Sequence, residues 1–389
     1  MIEHNRNLAT RISSISQDSA PWQPPLRLDL TDRFDASYAE QLFEDNRVSV
    51  VTDRVNSLAR DLYSMRSFGS DLGIEQDQYV EEIKNQGLGY GIWFYFPWDR
   101  SLVRYLEQKD HRDLRTFRNR ELINSNEQAA LYAARIAIFG LSVGSGVVES
   151  LAMSGIGGTL IMGDFDVLEL SNTNRVRSDI GDVGSKKIDI IAKKVSKIDP
   201  YIDQVHLQNG FNSGDFESDI KYDLMFDEVD DLKAKYEMRD LSRRRGKPLI
   251  MVTDAGDRAI IDIERYDTQS RTKPFLGKIS ERAIMSALDD SISNSDRQKM
   301  LAKFVGIKNI SGRLIKSAML IGDELGGIPQ LYTTAGVCGS LGAFAAREII
   351  LGRDIKSGRY ISNFRKLFDT GSPDGAISDV TAFFKFLKK

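Results

Sequence analysis

Glycines at 140, 144 and 146, carboxylates at Asp164 and Asp166, and then Asn172, Arg175 and Lys187 follow one another in a single stretch of this chain. Each group has a use around a nucleotide. Glycine lets backbone approach phosphate closely, Ser142 inside the turn adds a hydroxyl, and a following helix offers unpaired N–H groups and a positive dipole end to an anion. A carboxylate at the end of the next strand stands where it can accept hydrogen bonds from a ribose. A hydride-transfer site would need no more than this. Asn172, Arg175 and Lys187 place further polar and cationic groups beside the phosphates, which suits chemistry on the phosphates themselves. Further along, Asp227, Glu228, Asp230 and Asp231 cluster at a strand end, the edge at which open α/β sheets bind ligands.

The spacing predicts the elements that hold these groups. Arg135–Phe139 reads as a short strand, Val147–Ser154 has helical apolar spacing, and Thr159–Gly163 is a second strand ending in Asp164-Phe-Asp166. Upstream, Ser125 to Gln128 reads as a capping box opening a helix to Ala134. Downstream, Ile188–Ile198 is an amphipathic helix, Val205–Leu207, Asp223–Asp227 and Pro248–Val252 are strands, and Lys233–Arg245 and Thr333–Leu351 are helices. Alternation of this kind predicts an α/β fold, a Rossmann-like mostly parallel sheet with helices on both faces. Ahead of it, residues 1–116 form a smaller α+β domain with its own core. Tyr38–Phe43 and Val55–Tyr63 have helical spacing, and the aromatic run from Gly89 to Trp98 reads as a buried or interface strand. Ser291–Asp296 is a loop and Lys385–Lys389 a solvated basic tail.

Gly140 to Lys187, together with Tyr222 to Asp231, resembles the ThiF/MoeB/ubiquitin-activating adenylyltransferase superfamily. The resemblance runs roughly from Phe117 to Arg353 and implies ATP-dependent activation of a carboxylate as an acyl-adenylate, with residues 117–389 as the ATP-binding domain. It implies that Asp164 or Asp166 holds the ribose, that Asn172, Arg175 and Lys187 contact the ATP phosphates, and that Asp230 holds magnesium. Arg118-Asn-Arg120 is similar to the family's arginine motif, in which Arg120 would reach the phosphates of the partner subunit in a homodimer. The glycine spacing departs from the family's Gly-x-Gly-x-x-Gly. The single cysteine, Cys338, excludes the two Cys-x-x-Cys pairs of zinc-holding members, so no structural zinc of that type is expected.

Cys338 lies in an apolar helix of small residues, where a cysteine behaves as a small hydrophobe, so no thioester step is expected. His4, His111 and His206 are scattered, with no pair at metal-ligand spacing. Lys and Arg number 53 against 56 Asp and Glu, a net charge of −3, which leaves no broad basic field for nucleic acid or an anionic membrane. No apolar run approaches the roughly 20 residues of a membrane span, and the start lacks a signal-like apolar region, so a cytoplasmic protein is expected. Within the family the substrate could be a ribosomal peptide, as in members that make microcin C or pantocin A. It could instead be the C-terminal glycine of a small sulfur-carrier protein. The added N-terminal domain and the lack of zinc favour the peptide, by analogy with peptide-tailoring members that carry such a module. A scaffold that binds nucleotide without turnover would not need Arg175, Lys187 and Asp230 together.

Overall fold

The computed structural model describes residues 20–67, 73–218, 220–288, 300, 304, 306, 310, 312–321 and 324–370. His4, the loop at Ser291–Asp296 and the tail at Lys385–Lys389 lie outside them. The chain divides into two compact units, residues 1–120 with 179–200, and residues 121–178 with 201–389.

The first unit carries a four-stranded sheet in the order β1-β3-β4-β2, with β1 at Leu26–Leu28, β2 at Val50–Thr52, β3 at Ile92–Phe96 and β4 at Ser101–Tyr105. All five residues of β3 are buried, so the aromatic run is core. Helix α1 (Arg33–Glu44) starts at Asp32, whose side chain caps two backbone N–H groups, and buries Ala39 and Leu42 with Trp93 and Tyr95. Helices α2 (Val55–Arg66) and α3 (Ile74–Asn85) share Ala59, Val80 and Ile83. Arg104 is buried on β4, with its guanidinium on the Tyr90 carbonyl at 2.7 Å and on Asp53 at 3.1 Å. Helix α4 (Gln108–Arg115) sets His111, Arg112 and Arg115 within 3.8–3.9 Å of the fully buried Asp199. Burial holds His111 below its ordinary pKa, with Arg115 and Arg112 acting in the same direction against Asp199. The helix Lys187–Ile198 groups with this unit, although the sequence reading places the amphipathic stretch Ile188–Ile198 in the nucleotide domain.

The second unit is a seven-stranded sheet in the order β11-β10-β9-β8-β5-β6-β7. Strands β5 (Arg135–Phe139), β6 (Thr159–Gly163), β7 (Asp203–Leu207), β8 (Leu224–Asp227) and β9 (Leu249–Asp254) are parallel. Two strands beyond those expected, β10 (Arg258–Glu264) and β11 (Gly358–Asn363), add an antiparallel edge. Asp262 and Arg359 stand opposite each other in that pair and form a two-pronged ion pair, Nε to Oδ1 at 2.6 Å and Nη2 to Oδ2 at 2.5 Å.

Successive residues of the central strands face opposite ways, and both faces are covered. Ala137, Phe139, Met225 and Leu249 pack with Met238 and Leu241 of α7 (Leu232–Arg245). On the other face, α6 (Val143–Ser154) crosses α8 (Tyr332–Ile350). Helix α5 (Ser125–Ala133) starts one residue earlier than the sequence suggests. Asn124 is the cap and Glu127 closes the box, because Asn124 Oδ1 accepts from the Glu127 N–H while the Glu127 carboxylate accepts from the Asn124 N–H. No helix among the described residues is long and apolar enough to cross a membrane.

Under the end of β8 lies a fully buried charge network. Arg239 donates to Asp227 and to Glu264, the latter at 2.9 Å, and Lys235 Nζ reaches Asp227 at 3.1 Å. Tyr266 donates to the other oxygen of Glu264, and the Arg239 guanidinium lies 4.1 Å from the Phe275 ring centre. Removing Arg239 would leave the buried Glu264 without a cation and Asp227 with Lys235 alone. Arg239→Ala is therefore expected to cost about 3–5 kcal/mol, read by urea denaturation of the whole chain. A change near zero would show that water reaches these carboxylates.

Candidate functional site

The candidate residues of the second unit gather at the carboxyl ends of β5, β6 and β8. Gly140 follows β5 at φ +86°, and a Cβ there would collide with the Glu228 carbonyl, so the turn requires glycine. The main chain runs through Leu141 into Ser142, the residue before α6. Gly144 and Gly146 fall within the first turns of that helix. The helix begins four residues before the apolar spacing suggests, and the loop is correspondingly shorter. Gly144 lies 3.3 Å from the Glu228 and Ile138 side chains, measured from where its Cβ would be. Gly146 faces α8, where a Cβ added to Gly339 would stand 2.6 Å from the Gly146 backbone. Close helix packing thus requires glycine at 339, whereas a Cβ on Gly146 would meet the Ala335 carbonyl at an ordinary 3.7 Å.

Asp164 and Asp166 differ in environment. Asp164 is buried, and its two oxygens accept from the Leu141 N–H at 2.5 Å and the Asp166 N–H at 2.7 Å, tying the glycine turn to the end of β6. Asp166 is exposed. The buried Asn172 accepts from the Glu169 N–H at 3.2 Å and so closes the short helix Leu170–Asn172. That turn presents Arg175, whose Nε donates to Ser142 Oγ at 3.1 Å and whose Nη1 reaches Asn174 Oδ1 at 3.1 Å. A cation is thereby held on the hydroxyl of the glycine turn. A small cleft beside it is lined by Ser145, Arg175, Arg177 and Tyr332.

At the end of β8 the four acidic residues take separate parts. Asp227 belongs to the buried network, and Glu228 Oε1 accepts from the Val252 N–H at 2.8 Å, joining β8 to β9 where their ladder stops. Burial pushes the Glu228 carboxyl well up, reinforced by Asp227 and Asp254. Asp231 caps α7, accepting from the Ala234 N–H at 2.7 Å. Asp230 is exposed beside them. Lys187 and Arg120 belong to the first unit: Lys187 opens its helix at 7% exposure, and the exposed Arg120 has its guanidinium 4.8 Å from the Phe117 ring centre.

Two residues of this edge escape the sequence reading. Asp254 ends β9 two residues beyond the expected strand end, and the rule that ligands meet the carboxyl edge would have found it had the strand been extended. Gln330, on the approach to α8, donates to Asp254 Oδ1 at 3.1 Å and carries no local signal. Cys338 is fully buried on α8, and burial pushes its thiol far up, with Asp254 and Glu228 adding to the shift. Alkylation of the native protein by iodoacetamide at pH 8 should therefore be far slower than that of the urea-unfolded chain. Equal rates would show an accessible thiol.

A family model described as the ThiF family matches residues 116–372. Among curated proteins, the chain is 33% identical over 268 residues to the uncharacterized protein MT1398 of Mycobacterium tuberculosis (strain CDC 1551 / Oshkosh), covering 69% of this chain and 37% of that protein. It is 32% identical over 140 residues to the tRNA threonylcarbamoyladenosine dehydratase of Haemophilus influenzae, covering 35% of this chain and 53% of the relative. The chain thus spans about a third to a half of the lengths of these two relatives. Among solved structures it is similar to PaaA, at TM-score 0.46 and 17% identity over 88% of this chain and 96% of the other. It is also similar to the E. coli tRNA N6-threonylcarbamoyladenosine dehydratase TcdA, at TM-score 0.44 and 19% identity over 62% and 95% of the two chains.

Proposed function

Because this chain belongs to the ThiF family, we propose that it binds ATP at the glycine turn and uses it to adenylylate a carboxylate, releasing pyrophosphate. The observation that carries this reading is Arg175 held on Ser142 Oγ, at the turn where the N-terminus of α6 already favours an anion. Asp166 would receive the ribose, since Asp164 already holds the Leu141 and Asp166 N–H groups. Asn172 shapes the turn that presents Arg175, and Lys187 and Arg120 would add positive charge, Arg120 from the partner in a homodimer. Asp230 would hold magnesium. An exposed carboxylate at the end of β8, beside an Asp231 already spent as a helix cap, suits a hard cation that takes one or two carboxylates plus phosphate oxygens.

The chemistry asks for charge neutralisation more than for acid–base catalysis. A carboxylate is ionised at neutral pH, and attack on the α-phosphorus drives out pyrophosphate as negative charge builds on the phosphate oxygens. Cations at those oxygens stabilise that state. Magnesium, when bound, supplies further neutralisation of the polyphosphate.

We further propose a peptide as the bearer of the carboxylate. In the first unit β2 is one of the two edge strands, with Val50 and Val51 exposed, and an extended peptide could add to such an edge through main-chain hydrogen bonds. The tRNA threonylcarbamoyladenosine dehydratases among the relatives favour a second reading. There the activated carboxylate would be attacked from within the same molecule, with net loss of water.

ATP–pyrophosphate exchange separates the two readings. Exchange that depends on short peptides encoded beside the gene supports the first, and exchange that depends on modified tRNA supports the second. MgATP is expected to bind more tightly than NAD by calorimetry, and the reverse order would overturn nucleotide activation. Lys187→Ala should lower exchange by about 10²–10³ with a smaller effect on ATP binding. For the dimer, co-expressed Arg120→Ala and Lys187→Ala subunits should recover activity that neither shows alone. Recovery failing while a wild-type/mutant mixture stays active would place Arg120 in its own subunit's site.

A further inference from the structure

Asp254 is the buried carboxylate at this edge that the foregoing chemistry leaves unused. It ends β9, beside the β8 strand that leads to Asp230, and is 8% exposed. Its Oδ1 accepts from Gln330 Nε2 at 3.1 Å, and among the described residues no donor reaches the buried Oδ2. A buried carboxylate oxygen without a partner costs free energy unless something outside the protein supplies one.

The surroundings of Asp254 identify that partner. Gln330 is fixed in turn, because its carbonyl accepts from Asn174 Nδ2 at 2.9 Å, and Asn174 Oδ1 accepts from Arg175 Nη1 at 3.1 Å. Arg175 holds Ser142. A series of hydrogen bonds, one of them to the Gln330 main-chain carbonyl, therefore links the glycine turn to Asp254. Burial raises the Asp254 carboxyl, Gln330 and Arg175 pull it down, and Asp230 pushes it up, so two of the groups acting on it, Arg175 and Asp230, are those proposed above for phosphate and metal. The nearby Glu228 has its Oε1 occupied by the Val252 N–H.

We propose that Asp254, through Oδ2, is a second protein carboxylate of the divalent-cation site and joins Asp230 in holding the cation that arrives with the nucleotide. This rests on the nucleotide reading of the site. A small divalent cation favours oxygen ligands and is commonly held by one or two carboxylates together with phosphates and water. Two carboxylates at the ends of adjacent strands, on the sheet edge where phosphate would lie, supply that set. Without the cation the two negative charges oppose each other, so metal and nucleotide should bind with positive coupling.

The test uses Mn(II) as the probe with the non-reacting analogue α,β-methylene-ATP, and follows free Mn(II) by electron paramagnetic resonance, with no turnover involved. Asp254→Asn keeps an acceptor for Gln330 and the shape of the side chain. It should lower Mn(II) affinity in the presence of the analogue by about tenfold or more, as should Asp230→Asn. Metal-free binding of the analogue, measured in EDTA, should be unchanged or tighter in Asp254→Asn, because a negative charge near the phosphates has gone. Mn(II) affinity unchanged in Asp254→Asn but lowered in Asp230→Asn overturns the role of Asp254. If Asp254→Asn also lowers Tm, Asp254→Glu decides: an Mn(II) affinity above that of the Asn variant supports a metal carboxylate, and an equal one overturns it. A wild-type protein that binds neither the analogue nor Mn(II) with it would instead remove the nucleotide reading on which the inference stands.

Discussion

Arg239 has no exposed surface and still carries its charge, which is possible only because Asp227 and Glu264 face it from two strands and Lys235 shares the load on Asp227. Burying charge is costly, and it is tolerated where every member of the network is paired in good geometry. The consequence for the site is positional. Asp227 is the last residue of β8, so the network fixes the point from which Glu228, Asp230 and Asp231 depart. Glu228 then bonds to β9, Asp231 starts α7, and Asp230 is left facing solvent. Were Asp227 free to move, none of these three would have a defined place.

A second constraint acts from the other side of the edge. The chain leaving β5 passes so close to the Glu228 carbonyl that only glycine fits at 140, and Asp164 accepts the next N–H. The glycine turn is thereby fixed between the ends of β6 and β8. The α6–α8 crossing beneath it depends on Gly339, where a Cβ would stand 2.6 Å from the Gly146 backbone. Small residues along α8 serve this packing, which is also why Cys338 is sealed within the helix and lacks the environment of a nucleophile.

These constraints divide the acidic residues into structural and available ones in a way that residue type does not. Asp164 and Asp227 spend both oxygens on backbone or on buried cations, Asp231 spends one on the start of α7, and Glu228 spends one on β9. Asp166 and Asp230 are exposed, and Asp254 is buried with an oxygen that no described residue reaches. On the protein side Arg175 lowers the Asp254 carboxyl against Asp230, and the proposed phosphates and cation would meet the remaining charges.

Local sequence determined the elements themselves. Strands β5 and β6, the helices flanking them and the buried aromatic strand β3 follow from apolar period and composition, because a strand covered on both faces needs a continuous apolar run and a helix a 3.6-residue stripe. The order of Gly140, Asp164, Asn172, Arg175 and Asp230 was likewise enough to suggest a nucleotide site. Tertiary structure alone decided what each residue does within it. The start of α6 moved forward to absorb Gly144 and Gly146, since α8 packs there. Asn124 took the cap expected of Ser125 by offering its own side chain to Glu127. The antiparallel edge β10–β11 depends on Asp262 meeting Arg359 from 97 positions away, and Asp254 meets Gln330 from 76 away. Pairings at such separation leave no periodic trace in a sequence, because their energy comes from partners that only the folded chain brings together.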